Sequence, residues 1–66
     1  MKGGLTIGEK LRATREAAGL TQTELAEKVG VTQRDISNWE RCKREPGVLI
    51  VKKMAQALGC SMDELV

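Results

Sequence analysis

The stretch GLTQTELAEKVGVTQRDISNWERCKREP, residues 19–46, decides the fold of this 66-residue chain. It contains two Thr-Gln pairs, Thr21-Gln22 and Thr32-Gln33, and an acid stands three residues after each threonine, at Glu24 and Asp35. In such a pattern the threonine oxygen accepts from the third helical N–H, while the acid reaches back to the threonine N–H. Each pair therefore marks the start of a helix, with the shorter aspartate making the weaker version. The same signature occurs outside the stretch, at Thr6-x-x-Glu9 and Ser61-x-x-Glu64. Gly19, Gly30 and Gly59 provide stops, because glycine readily takes the left-handed conformation that ends a helix. Pro46-Gly47 punctuates the remaining gap and predicts a helix from Val48.

These signals predict five helices, at 7–18, 22–29, 33–41, 48–58 and 62–66. No segment alternates like a strand, so the fold class is all-α. The gaps are short, so the helices must pack as close neighbours. A chain this short buries only about 60% of its unfolded surface and supports one core, which makes residues 1–66 a single domain with a helix-turn-helix unit at about 22–41.

Composition narrows the setting. The apolar share is 41%, with one Trp and neither Phe nor Tyr, so Leu, Ile, Val, Ala and Met must build the core. There is no His, and Cys42 and Cys60 stand alone, which leaves a zinc site without ligands and a disulfide framework without bridges. A reducing cytoplasm is the expected compartment. MKGGLTIG carries no apolar run of a signal peptide, and no window approaches the roughly 20 apolar residues of a spanning helix, so no membrane is expected. Without a histidine, a metal cluster, a glycine-rich phosphate loop or a nucleophile beside a base, an enzyme has little support. No cofactor, metal or small-molecule ligand is expected.

The net charge of +2 is compatible with nucleic acid without establishing it. Its distribution says more: between Val31 and Lys53 stand Arg34, Arg41, Lys43, Arg44, Lys52 and Lys53 against Asp35, Glu40 and Glu45. At about 100° per residue, Ile7, Leu11, Thr14 and Ala18 share a side of the first helix, with Arg15 at its border. Leu25, Ala26 and Val29 line the second helix, and Val48, Val51, Met54, Ala55 and Leu58 the fourth. Trp39 joins Ile36 on the apolar side of the third helix and reads as core rather than as a stacking platform. Cys60 reads as a small buried hydrophobe.

The second and third helices are short and joined by Gly30-Val31-Thr32, the grammar of a helix-turn-helix. Opposite Ile36 and Trp39, the third helix carries Gln33, Arg34, Ser37, Asn38 and Arg41. Arg can donate two bonds to guanine O6 and N7, and Gln or Asn can match the donor and acceptor of adenine. Gln33 and Arg34, nearest the helix start, are the expected direct readers, with Ser37 and Asn38 behind them. Arg41, Lys43 and Arg44 lie at or past the helix end, where phosphates are the expected partners.

From IGEKLRATREAAGLTQTELAEKVGVTQRDISNWE through KREP to ALGCSMDEL, the chain resembles the Cro/CI-type, or XRE-like, helix-turn-helix domains of phage repressors and bacterial regulators. GLTQ-x-x-LA-x-x-x-GV, I-x-x-WE and ALG-x-x-x-x-EL occur in order and at the family's spacing. The resemblance implies a compact five-helix bundle of the lambda-repressor type whose second and third helices bind double-stranded DNA. It also implies that Gln22 contacts phosphate, and Thr32 at the next helix start joins that set. Arg15 and Glu40 occupy the family's arginine-glutamate positions and are expected to form a structural pair. Two positions depart from the pattern. Cys42 stands where the family has glycine, which puts a left-handed cap in doubt, and Gly47 replaces a polar helix cap.

The expected function is sequence-specific DNA binding by a repressor that occludes a promoter. One helix reads few bases, so a homodimer on a palindromic operator is expected, with half-sites about 34 Å apart. Leu49, an apolar residue among Lys52, Lys53 and Gln56, would help form the seam together with Ile50, Met62, Leu65 and Val66. The alternative is a protein-interaction module of the same fold, an antitoxin or adaptor that binds its partner through the fourth and fifth helices.

Overall fold

The computed structural model describes residues 6–65. Four α-helices follow one another, α1 Ile7–Ala17, α2 Gln22–Val29, α3 Gln33–Glu40 and α4 Val48–Leu58, and a single 3-10 turn spans Met62–Glu64. All regular structure among these residues is helical. The fifth helix expected at 62–66 is therefore one tight turn, and Val66 lies outside the described residues. No helix of the described residues is long and apolar enough to cross a membrane.

The starts form as their local chemistry dictates. Thr6, Thr21 and Thr32 each accept from the N–H three residues on at 3.1 Å, and Glu9, Glu24 and Asp35 return the bond to the threonine N–H. Gly47 begins α4 with no side-chain cap. The α3 stop departs from expectation. Although it has a Cβ, Cys42 takes φ +60, and the bonds from Cys42 N–H to the Trp39 carbonyl and from Lys43 N–H to the Asn38 carbonyl close a left-handed cap. The cap that the missing glycine put in doubt is thus formed, at a conformational cost of roughly 1 kcal/mol. Its Sγ meets the Thr6 hydroxyl at 3.3 Å, which ties the end of α3 to the start of α1.

α3 packs against both α1 and α2, and α4 closes the far side against α2 and the 3-10 turn. The core comprises Leu11, Leu25, Ala26, Val29, Ile36, Trp39, Val51, Met54, Ala55 and Leu65. Trp39 is core, as its face predicted. The buried line of α1 is Gly8, Leu11 and Arg15 rather than a stripe reaching Ala18, which caps the helix and is exposed. Val48 is also exposed, because the first turn of α4 projects past the core before Val51 turns inward. Leu65, expected on a dimer seam, is 1% exposed and closes the bottom of the core. A side chain sealed that way cannot also line a seam.

The cysteines differ in setting. Cys42 is exposed, whereas Cys60 is half-buried against the core, and its thiol pKa is raised by burial and then by the charge of Glu64. Since the thiolate is the reactive form, Cys60 should react more slowly at any given pH. In the native protein a disulfide reagent is expected to label Cys42 at least about tenfold faster than Cys60, followed by mass spectrometry of the labelled peptides. Equal rates would contradict the burial of Cys60.

Candidate nucleic-acid interface

The two Thr-Gln pairs meet in space. α2 ends at Gly30, whose φ of +84 turns the chain sharply enough for α3 to begin at Gln33. α3 is then fixed on its inner side by Ile36, Trp39 and Glu40, all buried. Gln33 and Arg34 are exposed on the outer side, with Ser37 and Asn38 half-buried behind them. At helical spacing Gln33, Ser37, Arg41, Arg34 and Asn38 span an arc of about 140°. A helix so divided presents amides, a hydroxyl and guanidinium groups on one rigid surface.

The flanks are cationic. Arg41, Lys43 and Arg44 are exposed, and among the described residues neither they nor Arg34 have a carboxylate partner. Unpaired guanidinium and ammonium groups can meet phosphates without first breaking an ion pair. Thr32 is exposed at the turn, where its hydroxyl caps α3.

Arg15 and Glu40 pair as their positions predicted. Arg15 Nε donates to Glu40 Oε2 at 2.6 Å and Nη2 donates to Oε1 at 3.1 Å, while Nη1 donates to the Leu20 carbonyl at 2.8 Å. Each residue is 8% exposed, so this is a buried, two-pronged ion pair between α1 and α3. The bonds to Glu40 raise the guanidinium pKa further, against an opposing effect of burial. The stabilisation that this shift contributes is therefore present below the ordinary arginine value, the neutral range included, and is lost as pH rises above it.

Sequence reading missed what lies next to this pair. Gln22 Nε2 donates to Glu40 Oε1 at 3.0 Å, and Gln22 Oε1 accepts from Gln33 Nε2 at 2.6 Å. A continuous polar chain runs from Arg15 through Glu40 and Gln22 to Gln33. It joins a buried charge to the first, exposed residue of α3. The repetition of Thr-Gln was visible in the sequence, but that the second residues of the two pairs bond each other was not. Gln22, expected at phosphate, is half-buried, with one N–H given to Glu40. The second N–H of that amide is the group left for such a contact.

Another residue without a sequence-level role is Gly8. A Cβ there would lie 2.5 Å from the Trp39 carbonyl oxygen, 2.8 Å from that of Glu40 and 2.8 Å from Cys42 Sγ. Its absence lets α1 approach the end of α3 and sets the angle at which α3 is presented. A glycine inside a helical pattern was the available signal. No cluster of three or more metal-ligating side chains occurs among the described residues.

Comparison with known proteins places this geometry among relatives. A helix-turn-helix family model matches residues 11–65. The chain is 34% identical over 62 residues to the HTH-type transcriptional regulator ImmR of Bacillus subtilis, covering 94% of this chain and 49% of that protein. It is 38% identical over 60 residues to repressor protein C2 of Salmonella phage P22, covering 91% of this chain and 28% of that one. The chain thus spans half or less of the length of these two relatives. A crystal structure of the P22 c2 repressor in complex with a synthetic operator superimposes with a TM-score of 0.88 at 36% identity, covering 96% of each chain.

Proposed function

The chain belongs to the Cro/CI-type, XRE-like helix-turn-helix family, and from that membership we propose that it regulates transcription by binding a specific duplex sequence with α3 in the major groove. The matched family and relatives are transcriptional regulators, and the chain is not an enzyme. The observation that carries the proposal is the division of α3, with Gln33 and Arg34 exposed while Ile36, Trp39 and Glu40 are buried. In this assignment Gln33, Arg34, Ser37 and Asn38 face base edges, and Gln22, Thr32, Arg41, Lys43 and Arg44 face phosphates. Residues 1–66 act as one DNA-binding unit in a cytoplasmic regulator that represses by covering a promoter.

The proposal includes a homodimer on an inverted repeat, because two copies of α3 one helical turn apart, about 34 Å, read a site long enough to be found. Val48 and Leu49, each 74% exposed, are the apolar residues available to a seam, with half-buried Ile50 and Met62 at its edge. Leu65 takes no part. The same exposed pair supports a second reading, a partner-binding module that uses α4.

Alanine at Arg34 separates the two. A DNA reader loses roughly 1–3 kcal/mol of specific affinity and relaxes at one base pair, whereas a partner-binding module keeps its partner. Alanine at Lys43 or Arg44 should instead weaken binding to all sequences alike and reduce the slope of log affinity against log salt by about 1. Fluorescence anisotropy across a salt series measures both effects. If Arg34→Ala lowers affinity equally for every duplex, the base-reading assignment fails.

A further inference from the structure

Between the end of α2 and the second half of α4 runs an open groove with a lysine on each wall. Lys28, Val29, Lys53, Gln56 and Ala57 line it. It spans about 640 Å³, room for several side chains rather than for one ion. An exposed lysine on a helix is ordinarily accounted for by an acid one turn away, and neither of these has one. Glu24 precedes Lys28 by a turn, but its carboxylate reaches back to the Thr21 N–H at 2.8 Å. α4 contains no acid at all. Among the described residues no ion pair involves Lys28 or Lys53.

An occupant of this groove has to bring negative charge, as carboxylate or as phosphate, and the other lining residues discriminate between the two. Val29 and Ala57 are apolar, so an occupant made only of charged groups leaves them uncovered. The Gln56 amide is exposed and offers both a donor and an acceptor. A peptide group answers both, whereas phosphate only accepts. We propose that the α2–α4 groove docks an acidic peptide segment of a partner protein. Its carboxylates lie between Lys28 and Lys53, its small apolar side chains rest on Val29 and Ala57, and its backbone meets Gln56. Lys28 stands six residues after Gln22, which places it about 120° round α2 from the side that bonds α3. The segment therefore docks while α3 is occupied by DNA, and the surface is separate from the one assigned to base reading.

The test is display of short randomised peptides, selected on the wild-type chain and counter-selected on the double variant Lys28→Glu with Lys53→Glu. That variant keeps the α3 face, so peptides that merely imitate DNA there are removed. Enriched sequences should be net acidic with apolar residues among their acids. They should bind the charge-reversed variant at least about tenfold more weakly, since like charges then face each other. The neutral variant Lys28→Gln with Lys53→Gln exchanges only exposed groups, and its loss of at least about threefold decides the matter if the reversed one is unstable. An enriched peptide should bind the free chain and its complex with duplex DNA to within about threefold at 0.15 M salt. No enrichment, or enrichment of sequences without acids, overturns the proposal. So does an acidic peptide that duplex DNA displaces, which would make the groove a phosphate contact. A neutral variant that sediments differently from wild type also overturns it, because a second copy of the chain would then occupy the groove.

Discussion

Replacing Glu40 with alanine is expected to destabilise this fold by about 3–5 kcal/mol, because it leaves the Arg15 guanidinium buried without its counter-charge. Arg15 would keep only the Leu20 carbonyl, and the Gln22 amide would lose its acceptor as well. Small domains have total stabilities of roughly 5 kcal/mol at the low end, so the variant should be largely unfolded at 37 °C. Replacing both members of the pair with apolar residues of similar size should have a far smaller effect, since such exchanges are often neutral or stabilising. Urea denaturation of wild type, Glu40→Ala and the double variant Arg15→Met with Glu40→Leu makes the comparison. Equal loss in the single and double variants would mean that packing at these positions, rather than charge compensation, carries their contribution.

Gly8→Ala is the second large effect. The new methyl would sit 2.5 and 2.8 Å from two backbone carbonyl oxygens, which cannot rotate aside as a flexible side chain can. Overpacking of this kind costs typically 1–3 kcal/mol and occasionally more, and the rigidity of its neighbours places Gly8 at the upper end. A loss of about 3 kcal/mol corresponds to a Tm lower by roughly 12–24 °C in a domain of this size. α1 must also back away from the end of α3, which should weaken DNA binding even where the variant stays folded. Gly47→Ser is the control. A Cβ at Gly47 meets nothing within 4 Å, and a serine there supplies the missing cap of α4, so stability should rise by a few tenths of a kcal/mol. Calorimetry that finds Gly8→Ala as stable as wild type would show that the α1–α3 contact is looser than the structure has it.

What the sequence made legible was local. Thr6, Thr21 and Thr32 begin helices because each capping bond closes within three residues, and the outer face of α3 follows from helical spacing alone. The Arg15–Glu40 pair was foreseen through family resemblance, supported by the place of both residues at the border of an apolar face. The misreadings share another origin, since each depends on which neighbour docks where. Val48 fits an apolar stripe by angle, yet the first turn of α4 lies beyond the core it was assigned to. Leu65 was placed on a dimer seam because no sequence pattern shows that the turn after α4 brings it into the core. Gly8 and the Gln22–Gln33 bond each need two helices docked together before either acquires a meaning. Cys42 shows the limit of residue preference: the cap bonds at Trp39 and Asn38 carry the backbone into a conformation that the side chain disfavours.

The measurement that bears most directly on the central claim is selection from a randomised duplex library at about 0.15 M salt, where nonspecific phosphate binding is weakened enough to expose base readout. An enriched inverted repeat whose half-sites lie one helical turn apart is the expected result. Binding that enriches no sequence and fades as salt rises would contradict it.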